Sequence, residues 1–143
     1  MEVFNVQPND KVFIINYKEN NNEINTLGFL EEISNTNCML VFSTEEIANG
    51  YVNWFVNNGI VNDNTELQLN DFRIMEYTAY QLIIHLINND LSFVLDMIED
   101  RKEYLLCIPL KANESIIQVH TIFVTKENKD SLIDQITKGE KNV

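Results

Sequence analysis

The sequence is poor in the residues that interrupt regular structure or crosslink chains. Of its 143 residues, two are proline, four are glycine and two are cysteine. So few prolines and glycines exclude a collagen-like chain or a proline-rich linker. Cys38 and Cys107 lie far apart in apolar runs, which predicts buried, reduced thiols. Because no apolar run approaches about 18 residues and no secretion-signal pattern starts the chain, we expect a cytoplasmic protein without a membrane span.

Basic residues are also scarce. The chain has 10 Lys and Arg residues against 22 Asp and Glu residues, a formal net charge of -12. A charge of this sign opposes binding to nucleic acids and anionic membranes, because both attract basic patches. Solubility alone is the commoner reason for an acidic composition, and a basic partner is the alternative. We therefore expect no direct contact with nucleic acid or membrane.

The stretch 38–59 has the clearest local pattern. Residues 38–42 form a short apolar run that is typical of a buried central strand. Ser43 and Glu46 have the spacing of a capping box, in which Ser43 accepts from the Glu46 amide. A helix is predicted next, with an apolar face at Ile47, Tyr51 and Phe55, and with Gly59 as its C-terminal stop.

The rest of the chain alternates between strand and helix patterns. Thr78 and Gln81 form a second candidate capping box before a helix, and Asn128 begins a short C-terminal helix that Gly139 ends. Further strands are predicted at 11–17, 24–33 with a bend at Gly28, 91–98, 104–110 and 116–124, and residues 67–77 are predicted to form one strand or two short ones. Pro109 should place its strand at an edge of the sheet or end it.

These elements predict one α+β domain over residues 1–143. We expect a mixed or antiparallel sheet of about six to seven strands, two main helices and a short C-terminal helix. Residues 139–143 are expected to form a frayed tail.

Residues that could bind a metal or a cofactor form no recognisable motif. Cys38, His85, Cys107 and His120 lie in four separate predicted elements, without the close spacing that zinc sites show. No phosphate-binding loop, dinucleotide fingerprint or nucleophile elbow is present. We therefore expect no metal and no cofactor.

Asp96 and His120 are the candidates for a pocket. A carboxylate in an apolar strand is costly to bury unpaired, so Asp96 should point to an exposed face, pair with a basic residue, or mark a site at the strand end. His120 lies on the more polar side of its strand. A small enzyme or a ligand-binding domain with a pocket near these two residues is therefore our alternative hypothesis.

Trp54 is the single tryptophan of the chain and lies off the apolar stripe of its helix. It either covers a flank of the core or anchors an interface, where tryptophan is enriched. Tyr51, Glu45 and Glu46 lie on the same predicted helix and complete the candidate interface.

Two segments resemble a known family. Leu40–Ala48 (LVFSTEEIA) resembles the strand-to-helix motif of the SseB N-terminal-like domain, and Leu82–Asp90 followed by Phe93–Asp96 is similar to its later pattern. Met97 stands where that family often has proline. The resemblance implies an α+β module that acts through protein contacts and has no catalytic residues. Small acidic domains of this kind also resemble bacterial immunity proteins, which bind and neutralise a co-encoded toxin.

Our leading hypothesis is a non-enzymatic, acidic protein-interaction module of the bacterial cytoplasm. Its partner is expected to be a protein, and the charge favours a basic one. An acidic mimic that occupies a nucleic-acid-binding surface is the third hypothesis. The sequence does not define the oligomeric state.

Overall fold

Strands and helices alternate along the chain as an α+β architecture, which confirms the predicted fold class. The computed structural model describes residues 2–18, 24–57, 71–97, 103–125 and 127–141. In these residues the helices are α1 (Glu45–Asn57), α2 (Ala79–Asn88) and α3 (Lys129–Lys141). The strands are β1 (Glu2–Val6), β2 (Lys11–Lys18), β3 (Ile24–Thr26), β4 (Gly28–Glu31), β5 (Thr36–Phe42), β6 (Phe72–Thr78), β7 (Phe93–Leu95), β8 (Tyr104–Ala112) and β9 (Ile117–Val124).

All nine described strands belong to one mixed sheet. Its main order is β1-β9-β8-β7-β5-β2-β3, while β4 pairs with β5 and β6 pairs with β2. In the described sheet, β5 and β7 are parallel and the other pairs are antiparallel. The expected number of six to seven strands was therefore too low. The N-terminal residues form β1, and the single strand expected at 24–33 is two strands.

The bend that splits β3 from β4 is centred on Leu27. β2 and β5 pair directly only at Phe13–Phe42 and Ile14–Val41. Beyond that point the N–H of Leu27 donates to Ile15 (2.8 Å), and its carbonyl accepts from Leu40 (3.1 Å). Leu27 therefore lies between β2 and β5 and bonds to both, and we call this point the Leu27 wedge. On one side of it β3 pairs with β2, and on the other side β4 pairs with β5.

Gly28 is required next to this wedge. A Cβ atom at Gly28 would lie 2.5 Å from the carbonyl oxygen of Cys38 on the paired strand. Real Cβ atoms do not approach backbone oxygen so closely, and the neighbour is backbone that cannot rotate away. The predicted bend is therefore confirmed, and the close approach of two backbones explains why a glycine follows Leu27.

Helices cover both faces of the sheet. On one face α1 and α3 pack against a cluster that includes Cys38, Leu40 and Phe42 of β5. On the other face α2 packs against a second cluster that includes Val41, with Met39 at its edge. The alternation along β5 is the two-residue period of a strand that is buried on both sides.

The sheet curls around α2. In the sheet order β1 and β2 are five strand spacings apart, about 24 Å if the sheet were flat. Residues 7–10 join these strands and span at most about 18 Å. The connection also bonds to the start of α2, since the carbonyl of Pro8 accepts from Tyr80 (3.0 Å) and that of Asp10 from Ala79 (2.7 Å). The sheet is therefore concave on the α2 side.

Several predicted boundaries change in the structure. β7 has three residues rather than the eight of 91–98, although Phe93 and Val94 are both buried, as expected for a strand covered on two faces. β8 lies between β7 and β9 and is not an edge strand. Pro109 is tolerated because β7 pairs only with Leu105–Cys107, and a register shift follows between Pro109 and Lys111.

The ends of other predicted elements also differ. The second capping box is confirmed, because Thr78 accepts from the amide of Gln81 and the Gln81 side chain accepts from the amide of Thr78. α3 continues past Gly139 to Lys141, so the predicted tail is helical up to that residue. Gly59 and residues 60–70 lie outside the described residues. Among the described helices, none has the length and apolarity needed to cross a membrane.

The Leu27 wedge predicts different outcomes for two glycine substitutions. Gly28→Ala should lower the free energy of unfolding by about 1–3 kcal/mol, because the new methyl group meets the Cys38 carbonyl. Gly50→Ala on α1 is the matched control: nothing lies within 4 Å of its Cβ position, and alanine should stabilise the helix by up to about 1 kcal/mol. Urea unfolding followed by Trp54 fluorescence measures both changes. A Gly28→Ala protein as stable as the wild type would contradict the close approach.

Candidate functional site

The carboxyl ends of the parallel strands β5 and β7 meet at Ser43 and Asp96. Both oxygens of the Asp96 carboxylate bind Ser43: Oδ1 accepts from the backbone N–H (2.7 Å) and Oδ2 from the hydroxyl (2.6 Å). The Asp96 N–H donates to the carbonyl of Val41 (2.8 Å). Adjacent carboxyl ends of parallel strands are where α/β sheets commonly place their sites. Asp96 therefore marks the strand end, one of the three positions predicted for it.

Asp96 adopts a backbone conformation that disfavours most side chains. Its φ is 51°, in the left-handed region. Aspartate tolerates this region better than most residues because its short side chain can form local hydrogen bonds. The bonds to Ser43 offset the remaining strain, so the carboxylate fixes both the end of β7 and the start of the turn into α1.

The N-cap of α1 is Thr44, one residue later than predicted. The hydroxyl of Thr44 accepts from the N–H of Ile47 at 3.1 Å. The predicted capping box of Ser43 with Glu46 is wrong, because the Ser43 hydroxyl donates to Asp96 instead. Local spacing showed two hydroxyl residues before the helix but not which one a distant carboxylate would bind. Glu45 and Glu46 thus lie in the first turn, at the positive end of the helix dipole.

Four carboxylates lie at or close to this junction along the fold, and we call them the acidic rim: Asp96 binds Ser43, Asp10 lines a groove together with Ser43, and Glu45 and Glu46 lie in the first turn of the helix that follows. Asp10, Glu45 and Glu46 are exposed, and Asp96 is partly exposed. Among the described residues, no rim carboxylate has an ion-pair partner. The neighbouring Lys11 pairs with Glu76 (3.8 Å), so its charge is already balanced. The rim is therefore a local excess of negative charge.

A groove of about 420 Å³ opens beside the rim, between α2 and the β5–β7 pair. Its walls are mostly apolar and come from β1, β2, β5, β7 and α2. Its polar lining consists of Asp10, Lys11 and Ser43. The groove and the rim therefore share Asp10 and adjoin at Ser43.

Another cavity, of about 440 Å³, lies away from this junction at the far end of β2 and β6. Its lining carries charges of both signs, with Lys18 and Arg73 beside Asp71. With two basic residues and one acidic residue, its lining has a small excess of positive charge, in contrast to the rim.

The aromatic residues of the predicted interface occupy different environments. Tyr51 is 3% exposed and packs on Phe42, with 5.6 Å between ring centroids, so its predicted role as a surface anchor is wrong. Its position in the middle of the apolar stripe directs it into the core. Trp54 is partly buried at the edge of the core, with its ring 5.6 Å from that of Tyr51. It covers a flank of the core and keeps part of its surface in solvent.

The structure does not bring Asp96 and His120 together. His120 lies on β9, where it pairs with Val3 and Ile108. β9 is two strands away from β7 in the sheet. Through the registers with β8, Asp96 is level with Tyr104 and His120 is level with Ile108, so the two residues are also four positions apart along the strands. These offsets correspond to roughly 16 Å. The pocket predicted between the two residues is therefore not formed.

A buried carboxylate that the sequence analysis missed lies at the turn between β4 and β5. Glu31 is fully buried, and it accepts from the N–H groups of Ile33 (2.9 Å) and Ser34 (2.6 Å) and from the hydroxyl of Tyr104. Lys129 lies beside this group, 5.8 Å from the Tyr104 ring centroid and 3.6 Å from Glu32. The pattern FLEE at the end of a predicted strand gave no sign that one of the two glutamates turns inward.

The hydrogen bonds of Glu31 show that the group stabilises the fold. A buried charge is tolerated only when donors surround it, and Glu31 has three. Burial, and then the hydrogen bond to Glu31, raise the pKa of the Tyr104 phenol above its ordinary value of 10.0. The two groups fasten the β4–β5 turn to β8.

The two cysteines are buried inside the described part of the chain. Burial raises the pKa of the Cys38 thiol and raises that of Cys107 to about 12. Both cysteines are free and buried, as predicted. The described residues contain no group of three or more His, Cys, Asp or Glu side chains that could hold a metal ion.

Comparison of the chain with models of known protein families, with curated proteins and with solved structures gives no match. The resemblances to the SseB N-terminal-like domain and to immunity proteins therefore rest on the sequence motifs alone.

The Glu31–Tyr104 pair predicts a stability difference that depends on pH. Tyr104→Phe should lower the free energy of unfolding by about 2 kcal/mol at pH 7, because Glu31 loses its hydroxyl donor. The raised pKa keeps the phenol neutral in the folded protein, while the unfolded tyrosine ionises near pH 10.0. The advantage of the wild type should therefore be complete below pH 10 and decline above it. Urea unfolding of both proteins from pH 7 to about pH 11 measures this.

The other ionising groups are common to both proteins and cancel in the difference. An advantage of the wild type that stays constant or grows above pH 10 would contradict the burial of the neutral phenol against Glu31.

Proposed function

We propose that this protein is a non-enzymatic interaction module of the bacterial cytoplasm that binds a basic protein through the acidic rim. The observation that carries the proposal is the set of four neighbouring carboxylates, none of which has an ion-pair partner among the described residues. A partner with a complementary basic surface would supply those partners. The immunity-like and SseB-like hypotheses both give the protein a protein partner.

The positions of the rim carboxylates support a binding role because the fold holds them in place. Glu45 and Glu46 follow the Thr44 cap, and Asp96 is held by two bonds to Ser43. The backbone of these residues is ordered before binding, so the partner does not have to order it. Complementary charge would mainly accelerate association and exclude acidic competitors.

Trp54 extends the proposed interface along α1. Glu46, Gly50 and Trp54 are four residues apart in succession, so they form one row on the helix surface about 12 Å long. Gly50 is exposed and has no side chain to obstruct the row. A partner that contacts Glu46 therefore reaches the exposed edge of Trp54, whose fluorescence would report the contact.

The alternative, a small enzyme or ligand-binding domain at Asp96 and His120, has less support. The two residues lie on different strands and do not converge. The thiols of Cys38 and Cys107 are buried with raised pKa values, so neither is a thiolate nucleophile at neutral pH.

The test is capture of the partner by the wild type and by two charge-reversal variants. The rim variant carries Glu45→Lys and Glu46→Lys. The control carries Glu114→Lys, in the β8–β9 turn, and Asp134→Lys, on α3, both at exposed positions away from the rim. The two variants have the same net charge. At low salt we expect the wild type and the control to retain one basic protein that the rim variant loses.

The same experiment is then repeated at increasing salt concentration. Charges separated by about 10 Å are largely screened at 0.1 M salt and more strongly at 1 M. The captured protein should therefore elute as the salt is raised, and it should shift the Trp54 emission when added back. Equal recovery by the rim variant, or a blank with every protein, would overturn the proposal.

A further inference from the structure

The groove beside the acidic rim gives the partner a more specific chemistry. We propose that it receives one large apolar side chain from the partner, in a segment where lysine or arginine flanks that side chain. This inference rests on the proposed function and deepens it, because it adds the apolar contact to the charge contact.

The shape of the groove fits such an occupant. Its volume of about 420 Å³ lies in the range of pockets that enclose small ligands, about 300–1,000 Å³. A leucine or phenylalanine side chain with its own backbone fits this space, whereas a helix does not. The wall residues Val6, Val12 and Leu95 are only partly buried, so they present apolar surface to the occupant.

The charges at the groove select basic flanking residues. Asp10 belongs to the lining, and Asp96 is bonded to Ser43, which also belongs to it. Lys11 is the basic residue in the lining, but Glu76 balances its charge. Residues on either side of an inserted apolar side chain would therefore meet net negative charge, which attracts Lys and Arg and repels Asp and Glu.

The groove is also preformed. The Pro8 and Asp10 carbonyls bond to the first residues of α2, which fixes one wall to the other. The capping box of Thr78 and Gln81 fixes the start of the same helix. A preformed groove loses little entropy when it is filled, so one apolar side chain can contribute measurable affinity.

The test uses three fluorescein-labelled peptides in place of the natural partner. Their sequences are Lys-Lys-Leu-Lys-Lys, Lys-Lys-Gly-Lys-Lys and Glu-Glu-Leu-Glu-Glu, each acetylated and amidated. Fluorescence anisotropy at low salt should show that the basic leucine peptide binds about tenfold more tightly than the basic glycine peptide. The acidic leucine peptide should bind more weakly than either.

A groove-filling variant identifies where the leucine binds. Val12 lines the groove and is partly buried. Val12→Phe should reduce the preference for leucine over glycine to about onefold while it leaves the binding of the glycine peptide unchanged. Amide chemical shifts of the wild type provide a measurement that does not depend on the folding of any variant. The leucine peptide should shift Ser43, Leu82 and Leu95 more than the glycine peptide does.

The possible outcomes separate this inference from the proposed function. Equal binding of the two basic peptides, or a leucine preference that survives Val12→Phe with no shifts at the groove, overturns the groove as the apolar site. The rim would still stand if the charge-reversal capture succeeded. If the rim variant still captured the basic protein while the preference for leucine remained, the rim would instead be overturned as the site of the basic partner.

Discussion

The Asp96 carboxylate connects the two strands on which the candidate site depends. It lies at the end of β7, 53 residues beyond Ser43, and binds that residue through backbone and hydroxyl. The left-handed conformation of Asp96 costs about 1 kcal/mol or more, which two hydrogen bonds to a charged acceptor offset. Without this contact, the end of β7 and the turn that starts α1 would be free to move separately. The rim carboxylates would then no longer have a fixed arrangement.

Carboxylates thus have two roles in this acidic chain. Glu31 is inside the protein and is surrounded by donors, so it holds the β4–β5 turn against β8. The rim carboxylates are exposed or partly exposed, and within the described residues none of them forms an ion pair. A net charge of -12 opposes the compact state through self-repulsion, and most of the carboxylates that the structure describes are exposed to solvent. Asp96 is the rim carboxylate whose side chain the fold also holds in place, and the binding role that we propose is centred there.

Local patterns predicted the elements well, and long-range contacts explain what they missed. The apolar run before Ser43, the stripe on α1 and the Thr78–Gln81 box each involve neighbours along the chain, so the sequence shows them directly. The N-cap shifted to Thr44 because Asp96, from a distant strand, binds Ser43. The strand at 24–33 split because Leu27 bonds to two different strands. Periodicity places Tyr51 on the apolar stripe of α1 and Trp54 off it, and the packing agrees, since Tyr51 is buried and Trp54 is partly exposed. The rim and the groove likewise join residues from separate parts of the sequence.

A double-mutant cycle between Ser43 and Asp96 tests this account most directly. Ser43→Ala removes the hydroxyl donor, and Asp96→Gly removes the carboxylate while glycine keeps the left-handed backbone without strain. The free energies of unfolding of the wild type, both single variants and the double variant give the coupling energy. We predict a coupling of about 1 kcal/mol or more, as expected for a hydrogen bond to a charged group. A coupling near zero would contradict the claim that this contact holds the two strand ends, and with them the acidic rim, in place.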